Sequence, residues 1–143
     1  MTPDNSAPIL LVDDFEDGRE LYSEYLAFHG FRVQTAPSGE EAIRAIEAER
    51  PSVVLMDISM RGLNGTETMR IIRDRHLCDG VAIIAFTAFA LEGERTQALA
   101  DGFNAVITKP CLPDELMVVI TSVLAGEPIG AGLCDESTDA GEQ

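Results

Sequence analysis

The chain has 143 residues, 45% of them hydrophobic, and a formal net charge of −15 at neutral pH. That is enough for one domain with an ordinary apolar core. The acidic balance argues against direct nucleic-acid binding, and no apolar run is long enough for membrane insertion.

Short apolar runs alternate with helical patterns along residues 8–125, which form the expected domain. The first run is Ile9-Leu10-Leu11-Val12. A helix follows, signalled by Leu21, Tyr25 and Phe28 at i, i+4 and i+7 and stopped at Gly30. Phe31-Arg32-Val33 is the weakest run and is expected near a sheet edge. Ser38 and Glu41 form a capping-box pattern ahead of Ala42, Ile43 and Ile46. The third run is Val53-Val54-Leu55-Met56, and a helix marked by Met69 and Ile72 begins near Asn64. The fourth run spans 81–86, with a weaker helical pattern over 91–100. Ala105-Val106-Ile107 is the last run. Leu116, Val119, Ile120 and Val123 then give a final helix its inward stripe, with Gly126 after it. Residues 1–7 and 126–143 have the composition of disordered ends.

Most runs are continuously apolar rather than alternating, as in strands buried on both faces. Five strand–helix repeats predict an α/β fold, an open doubly wound parallel sheet with right-handed crossovers. Such sheets bind ligands at the carboxyl ends of their strands. Those ends are chemically distinctive. The first carries Asp13-Asp14, the third Asp57, the fourth Phe86-Thr87-Ala88 and the fifth Thr108-Lys109-Pro110.

Clustered carboxylates repel one another, and a hard divalent cation such as Mg²⁺ (or Mn²⁺) relieves the conflict through oxygen ligands. Lys109 is the only lysine; the other nine basic residues are arginine. An ammonium at this edge can balance the carboxylates or hold a phosphoryl oxygen, and Thr87 offers a hydroxyl donor. These groups suit phosphoryl transfer, which depends on positioning and charge neutralisation. Asp57, ending the central strand, is the best nucleophile. Taken singly, each group has an ordinary explanation: an Asp as turn former or helix cap, a Thr with a satisfied hydroxyl, a solvated Lys. The functional expectation rests on the set.

With these residues in view, the sequence resembles the receiver domains of two-component response regulators over residues 8–125. The resemblance is carried by Asp13-Asp14, by Asp57 in Val-Leu-Met-Asp-Ile-Ser-Met, by Thr87-Ala88 and by Lys109-Pro110, with Gly65 after the Asp57 loop. It implies the flavodoxin-like receiver fold, a five-stranded sheet of order 2-1-3-4-5. It also implies phosphorylation of Asp57 by a sensor histidine kinase or a histidine phosphotransfer protein. Asp14, Asp57 and the Ser59 backbone carbonyl would hold Mg²⁺ (or Mn²⁺) directly, and Asp13 through water. Thr87 and Lys109 would contact the phosphoryl group, and the Lys109-Pro110 peptide is a candidate for the cis form.

Three positions depart from the family. Arg61 replaces a usual proline, a change expected to alter loop stiffness more than chemistry. Val106 stands where many receivers carry an aromatic, so an aromatic swing is not expected. Phe89 occupies an often polar position and is expected to limit water access to the phosphoryl group. Phe89→Glu is therefore expected to shorten phosphoryl lifetime in an autodephosphorylation assay; a slower variant would refute this. Val118, with Met117 and Val106, is a candidate docking patch.

No output domain is evident after residue 125, so the expectation is a stand-alone receiver, or one excised from something longer, acting through an unknown downstream protein or a phosphorelay. Such a protein is a signalling module and not an enzyme, catalysing only its own phosphorylation and dephosphorylation. Cys78, Cys111 and Cys134 are widely spaced and odd in number, suggesting reduced thiols in a cytoplasmic protein. A phosphatase of the haloacid-dehalogenase type would need a second Asp where Ser59 stands. A flavin or nucleotide carrier would need a phosphate-cradling loop where this chain has Asp13-Asp14-Phe15-Glu16-Asp17. The remaining alternative is a receiver-like binding module that works without phosphorylation.

Overall fold

The computed structural model describes residues 7–88, 92–109 and 113–124. Strands and helices alternate: β1 (Ile9–Val12), α1 (Glu16–Phe28), β2 (Val33–Ala36), α2 (Gly39–Ala48), β3 (Val53–Met56), α3 (Gly65–Asp74), β4 (Ala82–Thr87), α4 (Glu92–Asp101), β5 (Ala105–Thr108) and α5 (Pro113–Leu124). The strands form one parallel sheet in the order β2-β1-β3-β4-β5. This is the doubly wound, flavodoxin-like arrangement expected from the sequence. No helix among the described residues is long and apolar enough to cross a membrane.

The continuous apolar runs have a direct cause in this architecture. Successive side chains point to opposite faces, and both faces are covered. Ile9 and Leu11 meet Tyr22 and Leu26 of α1 and Leu116, Val119 and Ile120 of α5. Leu10 and Val12 face the other way, into a core shared with Ala42 and Ile46 of α2, Met69 and Ile72 of α3 and Ala98 of α4. Each fully buried Leu or Ile contributes about 1.5–3 kcal/mol, so β1 and β3 anchor the site they carry.

Helix starts explain the local geometry. Asn64 caps α3 with a full reciprocal box: its Oδ1 accepts from the Glu67 N–H at 2.8 Å, and Glu67 Oε1 accepts from the Asn64 N–H at 3.0 Å. At α2 only half of the expected box forms. Ser38 Oγ accepts from the Glu41 N–H at 3.1 Å, while the Glu41 carboxylate pairs with Arg44.

Three expectations need correction. In α1 the buried face is Tyr22 and Leu26, whereas Leu21 and Phe28 are 62% and 84% exposed. The two stripes lie one residue apart, and Tyr22 wins the inward place by packing edge-on against Phe86, ring centroids 4.8 Å apart. The second strand begins at Val33, not Phe31, although it is the edge strand. Phe31 is instead buried just ahead of it, in the core under α1 and α5. Val106 is 1% exposed and belongs to the α2–α4 core, so it cannot join Val118 in a docking patch. The reason is its position in β5, between Ala105 and Ile107, which face the opposite core.

Candidate functional site

Parallel register brings the strand ends level. Val12 pairs with Met56, and Met56 with Ala85. The next residues, Asp13 and Asp57, are still tied to the sheet. The Asp57 N–H donates to the Val12 carbonyl at 2.9 Å, and the Asp13 N–H to the Ala36 carbonyl at 3.1 Å. Their carboxylates therefore project from rigid strand ends rather than from a loose loop.

Asp13, Asp14 and Asp57 each bring a carboxylate oxygen to within 4.8 Å of the others. Asp13 is 1% exposed and Asp57 7%. Lys109, at the end of β5, reaches back over the sheet edge. Its Nζ donates to Asp13 Oδ2 at 2.6 Å and lies 3.8 Å from Asp57 Oδ2. The ammonium also sits 5.2 Å from the centre of the Phe86 ring, a favourable cation–π position. The Lys109 N–H donates to the Thr87 carbonyl at 2.8 Å, which ties β5 to β4 beside the site.

The compensation is uneven. Asp13 has Lys109 and, on Oδ1, the Phe15 N–H at 2.9 Å. Asp57 has the Ser59 N–H at 3.2 Å and the more distant Lys109. Burial accordingly pushes the Asp57 carboxyl up from 3.8 to about 6. The Lys109 charge and the Ser59 N–H pull it down, while Asp13 adds to the rise. Three carboxylates against the Lys109 ammonium and the Arg61 guanidinium still leave an excess of negative charge. This donor set fits a hard divalent cation, with Asp13, Asp14 and Asp57 able to coordinate it.

Thr87 is 1% exposed at the end of β4. It lines a cavity of about 230 Å³ together with Ile58 and Ser59 from the loop after β3, Thr66 from α3, and Gln97 from α4. Ala88 follows Thr87 and is exposed. Pro110 and Phe89 lie outside the described residues, as do Cys111 and Cys134; Cys78 is buried.

Two contributors escaped sequence reasoning, and Gly65 acquires a structural reason. Arg19 on α1 donates from Nη1 to the Asp13 carbonyl at 2.7 Å, bracing the acidic turn. Its sequence signal is slight, a basic residue one turn into a helix. A Cβ on Gly65 would fall 2.2 Å from the Asp57 carbonyl oxygen and 2.7 Å from Ile58 Cα. Glycine thus lets α3 press against the backbone of Asp57. Arg61 was expected to affect loop stiffness more than chemistry. Its N–H instead donates to Asp14 Oδ2 at 3.1 Å, and its Nε lies 3.5 Å from the same oxygen. A proline there would offer neither contact.

The family model of the response regulator receiver domain matches residues 9–121. The chain belongs to the response regulator receiver family. An uncharacterised 14.6 kDa protein of Leptolyngbya boryana is 37% identical to this receiver over 112 residues, 78% of this chain and 86% of that one. The response regulator MprA of Mycolicibacterium vanbaalenii is 32% identical over 139 residues, 92% of this chain but 59% of MprA. This receiver thus spans a little over half the length of that regulator. Among solved structures, the receiver domain of the sensor histidine kinase PA1611 of Pseudomonas aeruginosa is 33% identical with a TM-score of 0.77. The match covers 83% of this chain and 98% of that one, and that receiver has a magnesium ion coordinated in its active-site cleft.

Proposed function

We propose that this receiver accepts a phosphoryl group on Asp57 from a phosphohistidine of a sensor kinase or phosphotransfer protein, and signals through protein contact or phosphorelay. The observation that carries this is the Asp57 carboxylate on a rigid strand end, beside Asp13, Asp14 and Lys109. One Asp57 oxygen attacks phosphorus, the P–N bond breaks, and the imidazole leaves with the electron pair and takes up a proton. The product is an aspartyl phosphate, which water later hydrolyses. Asp13, Asp14, Asp57 and the Ser59 carbonyl would hold Mg²⁺ or Mn²⁺, which supplies charge neutralisation for the transferring group.

The chain's own residues do the rest. Ser59 orients Asp57 through its N–H at 3.2 Å. Lys109, 3.8 Å from the Asp57 oxygen, is within reach of a phosphoryl oxygen attached there. Thr87 supplies a hydroxyl at the end of the adjacent strand. Phosphorylation adds about −1.5 to −2 charge, against which Lys109 and Thr87 can reorganise and carry the change toward α4 and β5.

Intact-mass analysis after incubation with acetyl phosphate and Mg²⁺ tests this. One added phosphoryl group is expected on the wild type, and none on Asp57→Asn or on a chelated sample. No adduct on the wild type, beside a competent receiver run in parallel, would leave a phosphorylation-independent binding module.

A further inference from the structure

The acidic triad has two cations near it, and they are not equivalent. Lys109 has a 15% exposed side chain and is committed to Asp13 and Asp57. Arg61 is the only cation among the described residues that pairs with Asp14. Its side chain is 90% exposed, against 22% for Asp14. Both of its contacts converge on one atom, Asp14 Oδ2, at 3.1 Å from the backbone N–H and 3.5 Å from Nε. The loop is shaped for this. Met60 is buried on one side, and Gly62 on the other takes φ +73°, a left-handed conformation that suits glycine.

We propose that Arg61 is an internal counter-cation for Asp14, which a divalent cation must displace in order to bind. This rests on the metal-binding function proposed above for the triad. Asp14 is the most exposed of the three carboxylates and thus the natural point of entry for the ion. With Arg61 beside it, part of the favourable charge is already neutralised, and the incoming ion replaces a contact instead of filling a gap. The chain therefore binds Mg²⁺ more weakly than its carboxylates alone dictate. By linkage, the bound ion frees the Arg61 guanidinium into solvent beside the acceptor loop. An exposed ion pair sets the scale: losing the Arg61 charge tightens Mg²⁺ binding roughly two- to five-fold at low salt, and less at high salt.

The test is a MgCl₂ titration of the full chain followed by amide and arginine Nε–H NMR shifts, at fixed ionic strength. Wild type is compared with Arg61→Gln, Arg61→Lys and Arg44→Gln. Arg44 is an exposed arginine paired with Glu41 on α2, and it controls for the general loss of one positive charge. The proposal requires tighter binding by Arg61→Gln, near wild-type affinity for Arg61→Lys, and a smaller effect of Arg44→Gln. It also requires the Arg61 Nε–H signal to shift as wild type binds. It is overturned if Arg61→Gln binds no tighter than wild type, if Arg44→Gln tightens as much, or if Arg61→Lys behaves like Arg61→Gln. A wild type with no saturable Mg²⁺ shifts at all would overturn the metal site itself, and this inference with it.

Discussion

Replacing Lys109 with Met is expected to lower stability in a chelator by about 3 kcal/mol, and Mg²⁺ is expected to recover much of the loss. The ammonium meets Asp13 at 2.6 Å, where that carboxylate is 1% exposed. Removing one member of such a pair leaves the other charge buried without its partner. Met keeps an unbranched stem of similar length beside Phe86, so packing is nearly conserved. The loss then reports charge rather than a cavity. A dication at the triad restores the missing positive charge by another route, and binding to the folded state alone adds stability by mass action. Urea melts of wild type and Lys109→Met, each with chelator and with excess Mg²⁺, measure all four corners. Equal stability of the two proteins in chelator would show that the pair contributes nothing. A deficit untouched by Mg²⁺ would separate Lys109 from the metal-binding carboxylates.

The fold was legible because its signals were redundant. Ile9–Val12 and Val53–Met56 are short and apolar at every position, as strands covered on both faces of a parallel sheet are. The one or two residues that follow the first, third and fifth runs include Asp13, Asp57 and Lys109, which the structure brings together at one sheet edge. Where the local signal was ambiguous, the sequence misled. In α1 two stripes of helical spacing compete, and the choice between Leu21 and Tyr22 depends on Phe86, a residue far along the chain. In β2 the edge position removes the need for a continuous apolar run, so Phe31 looked like part of the strand. Arg61 was misjudged for a different reason. Its partner Asp14 lies 47 positions away, and the contact exists only once β1 and β3 are side by side. Local pattern identifies what a strand end carries. It does not say which loop folds back onto it.

Asp57 supplies the second large effect, and its sign runs against the usual expectation for a carboxylate. The folded-state value is raised from 3.8 to about 6, chiefly by burial. Between those values the folded chain keeps a proton that the unfolded chain has released. The stabilisation from this group is therefore fully present below about pH 4 and is lost as pH rises through about 6. Above that, an ionised Asp57 costs the fold up to about 3 kcal/mol when no cation is bound. Asp57→Asn removes this cost while keeping shape, and Lys109 retains Asp13 as its closer partner. In chelator the variant is expected to be more stable than wild type at neutral pH, with the gap closing as pH falls toward 4. Saturating Mg²⁺ is expected to narrow or reverse the order, because the ion binds the intact triad better. Chemical denaturation across pH, with and without Mg²⁺, reads this directly. A variant less stable than wild type at neutral pH in chelator would mean that the Asp57 charge is well compensated in the folded chain. The expected result also strengthens the acceptor test, since a variant that is more stable in chelator cannot lose its phosphoryl adduct by unfolding.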